Sequence, residues 1–317
     1  MAVLVIGGTG FIGPRLIRRL VERGEKVVCM DLDPSSELLA SLLGGWEDEV
    51  KVIRGDVTQF EDVMRAVIET KPDRLINLAY RLGGGEENPH HAIRLNILGM
   101  DNCFEVARLQ GVKRVVYASS IAVSGQQSDF GDRSVNEDDS TYGTSQYAVC
   151  KIFNEFQARQ YINNHGMSIT GIRPANVTGP DKVRGSTDHV RCITLPAMGE
   201  PVRFPYKSLM RLPIHVEDIS EAFARVLLSD APHHSLYNSG GTPISLGDLA
   251  GIVRRFLPEA QIEFEDEGGL EQSGNYLVDN SRLLDEFELE YPPFEQRVLE
   301  IINDVRRDIG QPPIVHN

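Results

Sequence analysis

The 317-residue chain has no apolar run approaching the roughly 20 residues that cross a bilayer. Nor does it open on a basic segment followed by an apolar stretch and a small-residue cleavage site. Membrane insertion and secretion are therefore not expected, and the cytoplasm is the expected location. Cysteine is scarce: Cys29, Cys103, Cys150 and Cys192 lie far apart with no CxxC, which points to buried thiols rather than a disulfide or zinc framework. Basic residues are outnumbered, 32 Lys and Arg against 46 Asp and Glu, leaving a net charge of -14. Binding nucleic acid or an anionic membrane needs a concentrated basic face, so neither is an expected partner. The GxxxxGK[ST] pattern is missing, which disfavours a nucleotide triphosphatase. There is no internal repeat and no low-complexity tract.

What is present is ordinary for a globular protein, 41% hydrophobic and 25% charged, and long enough for one large α/β domain and a smaller one. From residue 2 to about 119, β-branched runs (VLVI at 3–6, KVVCMD at 26–31, VKVIRGD at 50–56, RLINLA at 74–79, VKRVVYAS at 112–119) alternate with amphipathic stretches. That alternation predicts an α/β fold, a doubly wound parallel sheet with helices on both faces and ligands beyond the strands' C-terminal ends. Residues 142–164 read as a long helix and 168–173 as a further strand. After Pro174 the helical pieces shorten and proline and glycine become frequent. We therefore expect a nucleotide-binding domain over 1–174 and a mainly substrate-binding lobe over 175–317, with some of its segments returning to the first domain.

Residues 7–13, GGTGFIG, place four glycines, three of them at GxxGxxG spacing, between an apolar strand and a helix, where glycine weakens both elements. Gly7, Gly10 and Gly13 permit a tight turn, close approach of the backbone to a pyrophosphate, and tight packing of helix on strand. A glycine-rich turn also has purely structural uses. Here Asp31 ends the second strand eighteen residues after Gly13, where a carboxylate accepts hydrogen bonds from the adenosine ribose. It would repel a 2′-phosphate, and Leu32 supplies no compensating charge, so NAD rather than NADP is expected. Asp56 ends the third strand, where it either reaches the adenine or caps the following helix.

Tyr147 and Lys151 stand at i, i+4, about 5–6 Å apart on one helix face. A neighbouring ammonium favours phenolate and pulls a tyrosine towards working pH, which suits a general acid/base. The strand VVYASS ends at Ser119-Ser120, on the sheet edge where ligands bind. A hydroxyl there can hold a substrate oxygen, though a serine turn or helix cap is the structural alternative.

GGTGFIG, Asp31, GDV, NLA, VVYASS, Tyr-x-x-x-Lys with Glu155 four residues on, RPANVTGP at 173–180 and IHVEDISEAF at 214–223 together resemble the extended short-chain dehydrogenase/reductases, the NAD-dependent epimerase/dehydratase family. The resemblance covers nearly the whole chain and implies a Rossmann-type domain with bound NAD. It implies Ser120 as the catalytic serine, Tyr147 as acid/base, and Lys151 as ligand of the nicotinamide ribose and depressor of the tyrosine pKa. It further implies cofactor contacts at Gly7, Gly10, Phe11, Ile12, Gly13 and Asp31, at Asp56 and Val57, at Leu78 and Ala79, and at Tyr147 and Lys151. Asn96 falls where the family has an asparagine, structural first and a proton relay second.

Departures from the family narrow the activity. The dehydratases' acidic pair after the serine position is replaced by Ile121-Ala122, which disfavours dehydration. The segment before RLPIHVED lacks the glycines of the nucleotide-sugar epimerases, although Arg211 remains and could clamp an anion. Asn176 in RPANVTGP matches a substrate-contacting asparagine of the family and, in a Pro-rich turn, also has local uses. The loop 80–91 is expected to border the nicotinamide pocket, and its His90-His91 pair lacks metal-ligand spacing elsewhere, so no metal is expected. The leading expectation is an NAD-dependent oxidoreductase acting on a secondary alcohol of a small polar molecule: a sugar, sugar acid or hydroxy acid. Its alternative is an epimerase of a sugar or nucleotide sugar, and, in another class, a noncatalytic NAD-binding sensor or scaffold. The resemblance also implies a homodimer built from the helices at about 89–110 and 142–164, with Ile152, Phe153 and Phe156 supplying apolar surface.

Overall fold

Five of the six β-branched runs form largely buried strands, as their near-continuous apolar sequence requires, while the edge run at 50–54 is largely exposed. In the computed structural model, which describes residues 2–83, 87–266 and 274–315, these are β1 (Ala2–Ile6), β2 (Lys26–Asp31), β3 (Val50–Arg54), β4 (Arg74–Asn77), β5 (Arg114–Ala118) and β6 (Ile169–Arg173). Seven strands follow, β7 (Asn176–Thr178), β8 (Val202–Tyr206), β9 (Met210–Arg211), β10 (Pro213–His215), β11 (Leu236–Asn238), β12 (Ile244–Ser245) and β13 (Ile262–Asp266). The central sheet is wholly parallel, in the order β11-β6-β5-β4-β1-β2-β3. Its order reverses between β1 and β4, which is where such a sheet opens a crevice for a ligand.

One face is covered by α1 (Gly13–Glu22) and α2 (Glu37–Leu43), the other by α3 (Phe60–Thr70), α4 (Pro89–Ile93), α5 (Gly99–Gln110) and α6 (Gln146–His165). A π-helical turn at Arg94–Leu98 joins α4 to α5, so the helix expected at 89–110 is continuous but locally unwound around Asn96. The helix expected from residue 142 starts instead at Gln146. Ser145 is extended, and its Oγ accepts the Ala148 N–H, so the cap fixes the start.

Beyond residue 175 the chain divides between sheet and lobe. The lobe core gathers α7 (Asp188–Ala197), β8, β13, α9 (Leu246–Phe256) and α11 (Phe294–Asp308), while β11 extends the edge of the central sheet and α8 (Val216–Leu228) and α10 (Ser281–Phe287) pack on its first face. Charge holds that return in register: Arg18 and Arg19 of α1 meet Glu217 of α8 at 2.7 and 2.8 Å, and Arg19 and Arg23 meet Glu221 at 3.0 and 2.6 Å. Among the described residues, no helix is long and apolar enough to cross a membrane.

Candidate active site

Two of the three glycines serve packing and one leaves an open surface. Gly7 has φ +78, and a Cβ there would lie 2.5 Å from the Ala79 nitrogen; at Gly13 it would lie 2.4 Å from the Gly8 carbonyl oxygen. At Gly10 a Cβ would meet only the Gly7 carbonyl oxygen, at 3.3 Å. The following helix starts at Ile12-Gly13 with Pro14 in its first turn and no side-chain cap. An open backbone beside an uncapped helix N-terminus fits the pyrophosphate of a dinucleotide. Phe11 closes the loop from outside, its ring against Gly179 and the Arg15 guanidinium 5.6 Å from its centroid.

Asp31 ties the loop to β2. One carboxylate oxygen accepts the Thr9 N–H at 3.1 Å and the other the Leu32 N–H at 2.8 Å. Acceptor capacity remains on both oxygens for a ribose. Arg54, opposite Asp31 in the β2–β3 register, acts electrostatically on Asp33, a cation at this end of the sheet that the sequence reading did not weigh. Asp56 accepts the Thr58 N–H at 2.9 Å and so shapes the turn into α3. The Val57 carbonyl accepts from Asn102 at 2.9 Å, Leu78 N–H bonds the Ile6 carbonyl, and Ala79 N–H bonds Asn77 at 3.0 Å. All these residues lie along the C-terminal edge of the sheet.

The two serines that end β5 have different surroundings. Ser119 Oγ donates to Glu155 at 2.5 Å, and Glu155 holds Arg173 through two bonds of 2.8 Å, all of it buried. Ser120 is left facing the Tyr147 hydroxyl, its Oγ also accepting the Ala122 N–H at 3.2 Å. Burial raises the Tyr147 pKa and the bond with Ser120 lowers it.

The expected depression by Lys151 is not what this arrangement gives. Lys151 lies on the same helix face but is 2% exposed, and its Nζ donates to the Ala118 carbonyl at 2.6 Å. That nitrogen sits 3.2 Å from the centroid of the Tyr80 ring and 5.7 Å from that of Tyr147. Burial pushes the lysine well below its usual range, against the opposing pull of Glu155. Tyr80 and Tyr147 meet edge to face, centroids 5.5 Å apart.

A cavity of about 260 Å³ opens beside Tyr147, lined by Arg81, Leu82, Asn96, Ser145 and Gln146. The Asn96 carboxamide clamps the backbone of Arg81, accepting its N–H at 2.8 Å and donating to its carbonyl at 3.2 Å, which gives the unwound turn a structural purpose. Residues 84–86 of the loop expected to border this pocket lie outside the described residues. A larger polar hollow, about 350 Å³, lies on the α5/α6 surface around Arg108, Gln157 and Tyr161, whose polar groups already pair with Glu105 and Asp101.

On the lobe side, the Asn176 side-chain Oδ1 accepts the Leu212 N–H at 2.9 Å and so ties β7 to the residue that precedes β10. Arg211 is engaged: its guanidinium forms a two-pronged pair with Asp188, which also accepts from the His189 backbone at 2.7 Å. Its charge is therefore matched within the chain. Lys182, its Nζ on the Val177 carbonyl at 2.7 Å, is brought by burial to about 8. Among the described residues, no three His, Cys, Asp or Glu side chains converge as a metal site would.

Tyr80 and Asp188 escaped the sequence reading. Tyr80 carried a positional signal, following a strand at the ligand edge, but its partner is 71 positions away. Asp188 carried none.

The family model described as NAD dependent epimerase/dehydratase family matches residues 3–240. A UDP-glucose 4-epimerase of Mycolicibacterium smegmatis is 30% identical over 232 residues, 71% of this chain and 72% of that one. A dTDP-4-dehydro-6-deoxy-D-allose reductase of a Streptomyces species is 26% identical over 310 residues, 92% of each. Among solved structures, the UDP-glucose 4-epimerase of Thermus thermophilus in complex with NAD aligns with a TM-score of 0.81 at 25% identity, over 96% of this chain and 99% of that one.

Proposed function

Because the chain belongs to the NAD-dependent epimerase/dehydratase family, we propose that it oxidises a secondary alcohol carbon of a small polar substrate, a sugar, sugar acid or hydroxy acid, with Tyr147 as the acid/base. The observation that carries this reading is the pairing of Ser120 with Tyr147 one helical turn from Lys151, with Ser119 held elsewhere by Glu155. Ser120 orients the substrate hydroxyl and Tyr147, as phenolate, takes its proton. The C–H bond then breaks with its electron pair and a carbonyl forms. NAD, when bound, supplies the hydride acceptor at its nicotinamide.

The chain's own residues hold that cofactor. The backbone at Gly7, Gly10, Phe11, Ile12 and Gly13 takes the pyrophosphate, and Asp31 the adenosine ribose. Asp56 and Val57 border the adenine. Leu78 and Ala79 border the crevice between β1 and β4, and Lys151 donates to the nicotinamide ribose. Asn176 presents its amide to the substrate. Arg211 is assigned a substrate role only where a ligand displaces Asp188.

The resemblance to UDP-glucose 4-epimerases favours a second reading, in which the same hydride returns to the opposite face of the ketone. The Arg211–Asp188 pair argues for a substrate without a diphosphate, because Asp188 already matches that cation through a two-pronged, half-buried pair.

A panel of polyols, aldoses, sugar acids, hydroxy acids and UDP-sugars, incubated with NAD and followed for both NADH absorbance and isomer exchange, separates the readings. Stoichiometric NADH supports the dehydrogenase, exchange without net NADH the epimerase, and silence in both arms a noncatalytic sensor. The apolar side chains on α6, Phe153 at 40% and Phe156 at 48% exposure, support a homodimer through α5 and α6. Sedimentation equilibrium giving only a 35.2 kDa species would refute it.

A further inference from the structure

Lys151 poses an electrostatic problem. Its side chain is almost wholly buried, and burial of an ammonium is costly unless something offsets it. Its own helix contributes Tyr147, Cys150 and Glu155, and β5 contributes the Ala118 carbonyl. Arg173 of β6 acts through Glu155, whose oxygens are already taken by that guanidinium and by Ser119. From α5, Asp101 faces Gln157 and Tyr161, two to three turns further along α6. Among the described residues, no carboxylate is therefore dedicated to Lys151. Besides the Ala118 carbonyl at 2.6 Å, the ammonium meets the face of Tyr80, 3.2 Å from Nζ to the ring centroid, in the segment leaving β4.

Burial drives the Tyr80 hydroxyl far above its ordinary pKa, so its ring stays a neutral phenol with a negative face. The ring is held by its edge-to-face contact with Tyr147 on α6. A desolvated cation over such a face is among the strongest of cation–π contacts.

We infer that Tyr80 is a positioning residue, whose ring is the seat that keeps the Lys151 ammonium charged and aimed at the nicotinamide ribose. This rests on the reading of Lys151 as a cofactor-binding residue, but the seat itself is testable without cofactor.

The experiment follows the ¹³Cε resonance of Lys151, identified by its loss in Lys151→Arg, through a pH titration of the NAD-free protein. Tyr80→Phe retains the face and should reproduce the wild-type midpoint. Tyr80→Leu should lower it by about one pH unit. Should Tyr80→Leu fail to fold, phenylalanines of increasing fluorination at position 80 keep the shape and weaken the face, and the midpoint should fall with each step. In calorimetric titrations with NAD, the loss of affinity at high pH should move down with the lysine midpoint. A midpoint that stays within about 0.2 unit through the fluorinated series overturns the proposal, because a merely space-filling ring would give that result. A protein whose lysine midpoint shifts but which never binds NAD would keep the seat and refute the cofactor reading instead.

Discussion

Replacing Glu155 by alanine removes the carboxylate that is hydrogen-bonded to a buried arginine. Glu155 and Arg173 expose only 4% and 3% of their side chains and are joined by two bonds of 2.8 Å, with Ser119 as a third donor to the carboxylate. Removing one partner of such a pair leaves an uncompensated buried charge and costs about 3–5 kcal/mol. With an unfolding entropy of about 2.1 cal/mol/K per residue, the 317-residue chain converts this to a drop of roughly 4–8 °C in Tm. Differential scanning calorimetry reads the shift directly. The double variant Glu155→Met, Arg173→Met should recover most of the loss, because it leaves no orphaned charge. A single variant within about 1 kcal/mol of wild type, or a double variant as unstable as the two losses summed, would refute the network as drawn.

Two further outcomes follow from groups at the ends of strands. His215, buried and 3.3 Å from the Glu217 N–H that it accepts, is pushed down to about 3 by burial and by Arg297, Arg15 and Arg19. Between pH 6.5 and 3 the unfolded chain binds the proton that the folded chain refuses. The contribution is thus complete above 6.5 and lost as pH falls, at up to about 1.4 kcal/mol per pH unit. His215→Asn, which can still cap α8, should flatten denaturation midpoints between pH 6.5 and 4.5; an unchanged slope would contradict a neutral buried imidazole. Asp31→Ala removes the ribose acceptor and should weaken NAD roughly 10- to 100-fold while affecting NADP much less. Equal losses for the two cofactors in calorimetric titrations would show that the carboxylate only holds the glycine loop through Thr9.

Legibility in the sequence tracked the range of the interaction. Six of the seven strands of the sheet could be read because each is a short β-branched run, and Gly13 because the crowding it relieves comes from Gly8 in the same loop, both local properties. Tyr147 and Lys151 could be paired because a helix places i and i+4 together. What Lys151 does with its charge could not be read: the spacing points it at Tyr147, while Ala118 and Tyr80, 33 and 71 positions away, take it. Choosing between Ser119 and Ser120 on physical grounds likewise needs Glu155 in place. Arg211 shows the same limit: its anion-binding promise ended at Asp188, 23 positions earlier, which no local pattern connects to it. The start of α6 was misjudged for a smaller reason, since Ser145 rather than Tyr142 supplies the cap.

The central claim is that Tyr147 moves the proton while the rest of the site holds NAD. Single-turnover absorbance of Tyr147→Phe against wild type, with the substrate found in the panel and with NAD affinity measured on the same samples, tests it most directly. The account predicts NAD binding within a few-fold of wild type and a hydride-transfer rate lower by about 10²–10⁴. A variant that transfers hydride at the wild-type rate would contradict it.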